Sequence, residues 1–300
     1  MNQPTPSKLI DNETSNTLGY LTGLGFIAIW SGFIVFARLG VTGNLTPYDI
    51  TALRFMLGSL LTLPFVFLYW PKHLSIAKVL ILAALGPGII YSVLMYMGLD
   101  RSPAAFAGVF ANGTMPIFTA FFAWVFLRDV LPKRSVIAIA VIIAGSILVG
   151  FENIRAVGTA NLNGLPFFMA ASFVLAAYMV LLRQWKLTAK QTLAIINLPN
   201  AIAFLPIWYF FLPSTLDIAS TNEILLQLVF QGLGPSFLAL IFFTYTIQSL
   251  GTTAAAGFAA VVPATAALLA IPILGETLNL LEWLGVITVS VGLIMLILKR

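Results

Sequence analysis

Long apolar stretches follow one another along almost the whole chain, separated by short polar or Pro/Gly-containing joints. A run of about 18 or more apolar residues is long enough to cross a bilayer as a helix. Because 60% of the 300 residues are hydrophobic and only 8% are charged, the chain has too few polar groups to cover a water-soluble globule. The runs are continuously apolar, whereas the strands of a membrane barrel alternate between apolar and polar residues. The sequence therefore predicts an all-α polytopic membrane protein.

The apolar runs divide into ten predicted transmembrane helices, five in each half. The first five lie at residues 18–38, 48–70, 76–99, 102–127 and 134–151. The second five lie at residues 161–183, 190–212, 222–248, 251–274 and 279–298. We expect a polar cytoplasmic tail at residues 1–17, a first five-helix repeat at 18–151 and a second at 161–298. The tail lacks the basic segment and short apolar core of a cleaved signal, so the first helix is expected to remain in the mature protein.

The two halves share a pattern of residues at a constant spacing. Four residues recur 147 positions later, namely Pro116, Asp129, Leu131 and Gly145 as Pro263, Glu276, Leu278 and Gly292. Two looser matches lie upstream, Gly86-Pro87-Gly88 with Gly234-Pro235 and Arg38 with Arg183. Because five is an odd number, the second copy must enter the membrane from the opposite side. Such inverted repeats are typical of transporters that open alternately to each side of a site near the bilayer midplane.

The distribution of basic residues predicts the orientation of the chain. With ten spans both termini lie on one side, where eleven Lys and Arg residues fall, against three on the other side. Loops rich in Lys and Arg stay in the cytoplasm, so both termini are predicted to be cytoplasmic. The net charge of +5 is scattered over the loops and forms no stripe. It predicts attraction to anionic lipid headgroups and argues against a nucleic-acid partner.

The chain resembles the drug/metabolite transporter superfamily in its ten-helix form with two EamA-type repeats. The first repeat carries Ser102-Pro-Ala-Ala, and the second carries Thr252-Thr-Ala-Ala and Gly275-Glu276-Thr277-Leu278. Trp30-Ser31 and Arg54 also fit the family. Within the superfamily the chain is most similar to bacterial YddG-like exporters of aromatic and other neutral amino acids. The resemblance implies export across the bacterial inner membrane through a central cavity between the first four helices of each half.

Two acids lie at the predicted turns before helices five and ten. The first repeat has Arg128-Asp129 where the family usually has Gly-Glu, and the second has Gly275-Glu276. A carboxylate at such a turn can accept the free backbone N–H groups of the following helix and meet its positive dipole end. We therefore predict that Asp129 and Glu276 cap helices five and ten rather than carry protons.

Proline and small residues predict where the helices bend and where they approach closely. Proline removes a backbone donor and displaces a carbonyl, so the matched prolines are predicted hinges: Pro87, Pro116, Pro235 and Pro263. One proline alone is explained by its frequency in membrane helices, whereas matched pairs favour a hinge. Small residues recur every seven positions on helices five and ten and predict close packing there: Ala138, Gly145, Gly285 and Gly292.

Ten residues placed away from the predicted helix ends are predicted to line the substrate cavity. They are Trp30, Tyr91, Met95, Asn112, Met115, Ser172, Tyr178, Phe237, Tyr245 and Phe258. They mix apolar area with hydroxyl and amide groups, which suits aromatic or aliphatic amino acids bound with little selectivity. Each residue alone is also explained by packing or by contact with lipid, so the prediction concerns the surface as a whole. Asn112 is its strongest member, because an amide in a membrane helix needs a hydrogen-bond partner. Pro116, one turn after Asn112, can free a backbone carbonyl to serve as that partner.

Arg54 is the one ionisable residue that falls clearly inside a predicted helix. A charge within the membrane is costly, which makes this residue a functional candidate. It is either an anchor for a substrate carboxylate or a structural cation that snorkels outward or pairs with Asp49 and helix-terminal carbonyls. We favour the structural role, because the second half has no Arg at the corresponding position.

The remaining polar residues limit the function. The acids and the single His lie near predicted helix ends, so no proton relay through the pore is predicted. No catalytic set and no metal-binding cluster is recognisable, which argues against an enzyme, a metal site or a cofactor. We expect a secondary transporter that exports neutral amino acids or related small metabolites without tight proton coupling. The alternatives are a nucleotide sugar or drug-like cargo and a proton-coupled antiporter; the oligomeric state stays open, and a monomer is compatible with the sequence.

Overall fold

The computed structural model describes residues 6–128, 132–157 and 162–297, and every regular element within them is helical. The first half contains α1 (Pro6–Thr42), α2 (Pro47–Tyr69), α3 (Ile76–Leu85), α4 (Ile89–Arg101), α5 (Ala104–Phe106), α6 (Met115–Leu127) and α7 (Lys133–Val157). The second half contains α8 (Leu165–Gln184), α9 (Ala189–Phe211), α10 (Thr221–Leu233), α11 (Ala239–Leu274) and α12 (Leu280–Ile297). Two π-helical segments, Ala107–Asn112 and Gly234–Leu238, interrupt the α-helical runs. The all-α prediction is confirmed for these residues.

Eight helical segments of the described chain are long and apolar enough to cross a membrane. They are Thr17–Thr42, Pro47–Tyr69, Ile76–Arg101, Ala104–Phe126, Lys133–Phe151, Leu165–Gln184, Ala189–Phe211 and Thr221–Thr246. Two shorter apolar helices, Phe258–Leu274 and Leu280–Leu296, follow them. Ten spans and cytoplasmic termini therefore stay predictions, while the polytopic membrane character is supported by length and apolar composition.

The helix α11 turns back on itself although its residues form one helical run. Gly23 and Gly25 are neighbours on α1, and a Cβ atom on them would meet the rings of Phe258 and Phe242 at 2.6 and 2.7 Å, respectively. In a straight helix, residues 242 and 258 would be about 24 Å apart. The chain therefore reverses direction between them, so both limbs run alongside α1. This reversal lies where the sequence predicts the joint between helices eight and nine.

The helices α2 and α9 are corresponding members of the two halves and pack against each other. Each is 23 residues long and begins with a capping box, in which Thr46 pairs with Asp49 and Thr188 with Gln191. In such a box the threonine side chain accepts a free N–H of the first turn, and the residue at the third helical position accepts the N–H of the threonine. Pro64 and its counterpart 142 residues later, Pro206, both lie inside these helices.

The small residues of α7 and α12 form the predicted close contact between those helices. A Cβ atom on Gly145 would lie 2.8 Å from the backbone oxygen of Gly285, and one on Gly292 would lie 3.0 Å from the backbone oxygen of Ala138. Any larger side chain at these positions would separate the two backbones. The prediction of a small-residue packing contact is confirmed.

Candidate substrate site at two helix breaks

The first helix break lies near the middle of the span Ile76–Arg101. Gly86-Pro87-Gly88 separates α3 from α4, so the backbone groups on either side lose their helical partners. Asn200 of α9 replaces those partners: its Oδ1 accepts from the Ile89 N–H at 2.9 Å, and its Nδ2 donates to the Ala83 carbonyl at 3.0 Å. A backbone break inside a membrane requires such substitutes, because lipid offers none.

The second break lies at the corresponding place in the other half. The π-helical segment Gly234–Leu238 contains Pro235 and lies near the middle of the span Thr221–Thr246. Ser236 Oγ donates to the Gln231 carbonyl at 3.0 Å, and Asn197 Nδ2 donates to the Ser236 carbonyl at 3.3 Å. The break is therefore also held by side chains, one of them from α9.

The helices α2 and α9 each touch both breaks. At the first break, Arg54 of α2 donates from Nη2 to the Pro87 carbonyl at 3.2 Å, beside Asn200 of α9. At the second break, Asn197 of α9 is joined by Gly58 of α2, where an added Cβ atom would lie 3.2 Å from Ser236 Cβ. We call Arg54, Pro87, Asn197, Asn200 and Ser236 the central polar site.

Arg54 is buried without a counter-charge in the described part of the chain. It is 2% exposed, and its guanidinium lies 5.6 Å from the centre of the Phe33 ring. Its Nε and Nη1 atoms have no hydrogen-bond partner among the described residues. Asp49 instead accepts from Trp208 Nε1 at 2.9 Å and from the Thr215 N–H at 3.0 Å. The predicted Arg54–Asp49 pair is therefore wrong, because Asp49 bonds to groups at the N-terminal end of α2. The predicted outward snorkelling is also wrong, because Arg54 is buried. The predicted contact with a carbonyl freed at a helix end is confirmed by the bond to Pro87.

A string of buried polar side chains extends from the region of Arg54 towards α1. Tyr96 lies beside the guanidinium and donates to Gln231 Oε1 at 3.3 Å. Gln231 donates in turn to Gln227 Oε1 at 3.1 Å, and Gln227 donates to the Phe36 carbonyl at 2.6 Å. A satisfied buried network of this kind fixes the relative position of the helices that carry it.

An ion pair joins the two halves at one end of the molecule. Arg38 Nε, near the end of α1, donates to Glu276 Oε1 at 2.9 Å, and Glu276 Oε2 accepts from the Ala104 N–H at 2.7 Å. Arg38 Nη1 also donates to the Leu99 carbonyl. We call this set the inter-half ion pair.

Glu276 does not cap the helix that follows it, so that prediction is wrong. The first turn of α12 is closed by Asn279, which accepts from the Glu282 N–H at 2.9 Å while Glu282 accepts from the Asn279 N–H at 2.8 Å. Asparagine is among the strongest N-cap residues, and its reciprocal bonds leave Glu276 available to Arg38. Asp129, for which the same role is predicted, lies outside the described residues.

Four of the predicted cavity residues lie close to the first break or to the core beside it. Tyr91 and Met95 are buried on α4, and Trp30 packs partly buried against the same core, 5.7 Å from the Phe26 ring. Tyr178 lies at the break itself, 3.0 Å from a Cβ atom placed on Gly86.

The other predicted cavity residues are dispersed. Phe237 packs 5.9 Å from the Phe65 ring, and Phe258 lies 6.4 Å from Tyr20, near the start of the apolar span Thr17–Thr42. The remaining four are buried or half-buried on separate helices: Asn112, Met115, Ser172 and Tyr245. The structure thus gathers part of the predicted set, and the cavity as a whole stays a prediction.

The four predicted hinge prolines have different surroundings. Pro87 lies in the first break and Pro235 in the second. Pro116 lies in the first turn of α6, four residues after the π-helical segment Ala107–Asn112 ends, whereas Pro263 lies inside α11. A Cβ atom on Gly108 would lie 2.9 Å from the Pro263 Cα, so that π-helical segment packs on this proline. Their role as hinges remains a prediction.

Sequence reasoning missed the amides of the central polar site. Asn197 and Asn200 are 2% and 3% exposed, and the buried Gln227 and Gln231 extend the network. The signal was present, because an amide within an apolar helix must find a partner. The spacing of 142 residues between Thr46 and Thr188 would have shown that α9 corresponds to α2.

A separate pocket of about 450 Å³ opens between α6, α7 and α8. It is lined by Phe110, Thr114, Ile117, Ile143, Ser146, Ile147, Gly150, Phe151, Leu162, Leu165 and Met169. No amide or charged side chain is among these residues, so the pocket offers little to orient a polar cargo.

Comparisons with known proteins agree with this two-part architecture. A solved structure described only as the crystal structure of a protein matches with a TM-score of 0.61 at 18% sequence identity, covering 95% of this chain and 96% of that chain. No curated protein matches the sequence. The profile of the EamA-like transporter family matches residues 17–151 and again residues 162–298. Proteins of this family are membrane transporters of the drug/metabolite type and not enzymes. Because the two matches cover nearly the whole chain, the protein belongs to the EamA-like transporter family.

Proposed function

We propose that the protein is a secondary transporter that exports neutral amino acids, aromatic ones included, across the bacterial inner membrane by alternating access. The observation that carries the proposal is the pair of helix breaks at corresponding places in the two halves. Interrupted helices at matched positions are the best pointer to a transporter's substrate site. Here both breaks are held by α2 and α9, which brings them to one central polar site.

The breaks and the matched prolines provide the moving parts of the proposed cycle. A helix that is interrupted near its middle by proline or by a π-helical turn can bend there. Bending at Pro87 would open one side of the site, and bending at Pro235 would open the other, because the halves are inverted. The inter-half ion pair joins the two halves at one end of the molecule, and in the proposed cycle it would close that end.

The chemistry of the site favours a cargo that is neutral overall. The central polar site contains one cation, Arg54, and several uncharged amide and carbonyl groups. A nucleotide sugar would need more buried cations to balance its phosphates. A cationic drug would need a buried acid, whereas Asp49 and Glu223 are occupied in the capping boxes of α2 and α10. These features support a zwitterionic or apolar cargo, like that of the YddG-like exporters.

The positions of the acids also support transport without tight proton coupling. A proton path through the site would need Asp, Glu or His at depth. Asp49 and Glu223 lie in the first turns of their helices, and Glu276 lies in the turn after α11. The proposed exporter therefore runs down the cytoplasmic concentration gradient of its cargo.

The proposal is tested by flux of labelled phenylalanine, threonine and a nucleotide sugar into liposomes that contain the purified protein. The measurement is made with and without an imposed pH gradient, and liposomes without protein are the control. We expect saturable amino-acid flux that does not depend on the gradient. Flux of the nucleotide sugar alone would contradict the proposed cargo and favour a nucleotide-sugar transporter. Flux driven by the pH gradient would contradict uncoupled transport and favour a proton-coupled antiporter.

A further inference from the structure

We infer that the central polar site binds the charged main-chain groups of an α-amino acid, with Arg54 holding the carboxylate and Asn197 Oδ1 accepting from the ammonium group. This inference rests on the proposed function and assigns residues to it. It starts from two buried side-chain groups that lack hydrogen-bond partners among the described residues. One of them is a donor and the other is an acceptor.

The donor is the guanidinium of Arg54. Its Nη2 donates to the Pro87 carbonyl at 3.2 Å, and the Tyr96 hydroxyl lies beside the guanidinium. Nε and Nη1 are buried and without a partner among the described residues. An unpaired buried charge is strongly unfavourable, and a carboxylate is the group that fits the planar fork of a guanidinium.

The acceptor is the side-chain oxygen of Asn197. Its Nδ2 is used at the second break, but Oδ1 has no partner among the described residues. A buried acceptor without a donor is costly, and an ammonium group supplies up to three donors. The two groups are therefore complementary to the two charged groups of a zwitterion: the donor suits a carboxylate and the acceptor suits an ammonium group.

The two groups lie along one face of α2. Residues four apart on a helix share a face and are separated by about 6 Å along its axis. Gly58 is four residues after Arg54, and a Cβ atom on Gly58 would lie 3.3 Å from Asn197 Oδ1. The acceptor is therefore about one helical turn from the position that carries the donor.

Each group is also attached to a different helix break. Arg54 is bonded to the first break through Pro87, and Asn197 to the second through Ser236. A ligand that binds both groups would connect the two parts that the transport cycle moves. Side-chain selectivity would stay loose, because recognition would rest on main-chain groups that all α-amino acids share.

The test compares three compounds on the wild-type protein in liposomes: phenylalanine, phenylalaninamide, which lacks the carboxylate, and 3-phenylpropanoate, which lacks the ammonium group. Competition against labelled phenylalanine gives their relative affinities. We expect each analogue to be weaker by roughly tenfold or more, since each loses hydrogen bonds to a charged group. Equal competition by phenylalaninamide would overturn the role of Arg54, and equal competition by 3-phenylpropanoate would overturn that of Asn197.

Variants then assign the preference to residues. Arg54→Gln is expected to abolish the preference for phenylalanine over its amide, and Arg54→Lys to retain part of it, because Lys keeps the charge without the fork. Asn197→Leu is expected to abolish the preference over 3-phenylpropanoate. The control is Arg101→Gln, at an exposed arginine that pairs with Asp100 at 3.1 Å. A merely structural Arg54 would lower flux in Arg54→Gln and leave the preference unchanged, which contradicts the inference.

The outcomes separate this inference from the proposed function. Flux of 3-phenylpropanoate without flux of phenylalanine would refute amino-acid export and the role of Asn197, while supporting Arg54 as a carboxylate anchor. Equal flux of phenylalanine and its amide would support amino-compound export and refute that anchor. If the Arg54 variants do not fold, the wild-type series still tests the inference, because equal competition by phenylalaninamide contradicts a carboxylate anchor and weaker competition supports one.

Discussion

Asn200 shows how much of the architecture depends on one side chain. Its amide bonds to backbone groups of α3 and α4 on the two sides of the first break, at 3.0 and 2.9 Å. It also donates to the Ile196 carbonyl at 2.7 Å. The Asn amide carries both a donor and an acceptor on a short side chain. Gln has the same amide, but its side chain is one methylene longer and would place the two groups further from α9. Asn200 therefore fixes the relative position of α3 and α4, although the backbone between them is not helical.

We predict that Asn200→Ala destabilises the protein by about 1–3 kcal/mol, because it leaves a buried donor and a buried acceptor unsatisfied. The measurement is denaturant unfolding in detergent. The matched control is Asn44→Ala, which removes an exposed amide that bonds to Glu223 at 3.1 Å. An equal, small effect in both variants would mean that the break is held by other contacts.

At this scale the sequence predicted the breaks better than the groups that hold them. The motif Gly86-Pro87-Gly88 indicated an interruption of helix three, and the structure has it. The partners of Arg54 and Glu276 could not be derived, because a contact between helices far apart in sequence depends on their rotation and depth. Neither quantity is encoded in the spacing within one helix. Asp49 near Arg54 in sequence was therefore a poor guide to proximity in space.

Pairs of helices, rather than single helices, are the units in which this molecule is built. The pair α7 and α12 meets through small residues, and the pair α2 and α9 meets at the central polar site. The first pair was predictable, because small residues recurring every seventh position mark one helix face. The second pair was not predicted, because α2 and α9 are related by a spacing of 142 residues. The repeat that was recognised, from Pro116 to Gly145, has a spacing of 147 residues.

We predict that Gly145→Val destabilises the protein by about 1–3 kcal/mol, because the added atoms collide with the backbone of α12. A Cβ atom there would already lie 2.8 Å from the Gly285 oxygen. Gly150→Val on the same helix is the control, since its Cβ atom would be 3.5 Å from the Phe110 ring, an ordinary contact. Thermal unfolding in detergent compares the two, and equal stability would contradict the close approach.

The inter-half ion pair predicts how one end of the molecule opens. Replacing Glu276 by Gln weakens the bonds to Arg38 and to the Ala104 N–H, so the end they close should open more often. Ser31 lies two turns before Arg38 on α1 and is fully buried, where its hydroxyl lies 2.6 Å from that of Thr265. We expect Ser31→Cys to react roughly tenfold faster with a membrane-impermeant thiol reagent when Glu276→Gln is present.

This labelling experiment has a clean background, because the natural chain contains no cysteine. Its control is Asp100→Asn, which breaks an exposed ion pair with Arg101. Such exposed pairs contribute little, so Ser31→Cys should react at the unchanged rate in that background. Equal acceleration by both variants would show a general loosening of the protein instead of release of a closed end.

At the scale of the whole molecule, the hydrophobic runs and the internal repeat predicted most of the architecture. Several boundaries agree with the helices to within a few residues, for example 190–212 against Ala189–Phe211. By contrast, α1 begins at Pro6 instead of residue 18, and the predicted joint between helices eight and nine lies inside the continuous run of α11. Hydropathy succeeds here because a membrane helix must be apolar along its whole length. The interruptions within spans and the reversal inside α11 are less evident in hydropathy, because they change the path of the backbone and not its polarity.

The predicted orientation can be measured with single cysteines. With both termini in the cytoplasm, the loop between α1 and α2 faces outward and the loop between α2 and α3 faces inward. Asn44→Cys should therefore react with an impermeant reagent added outside intact cells, whereas His73→Cys should react only after the membrane is opened. Both positions are exposed. The reverse pattern would invert the topology and with it the proposed direction of export.

The double attachment of α2 and α9 has a consequence for the energy supply of the cell. Each of these helices is bonded to, or in contact with, both breaks, so displacing one break disturbs the contacts of the other. In the proposed alternating-access cycle, the two ends of the passage should therefore not open together. A membrane that carries this protein should consequently stay tight to ions and small solutes while export proceeds. An exporter without such a link would discharge the gradients on which the rest of the membrane's work depends.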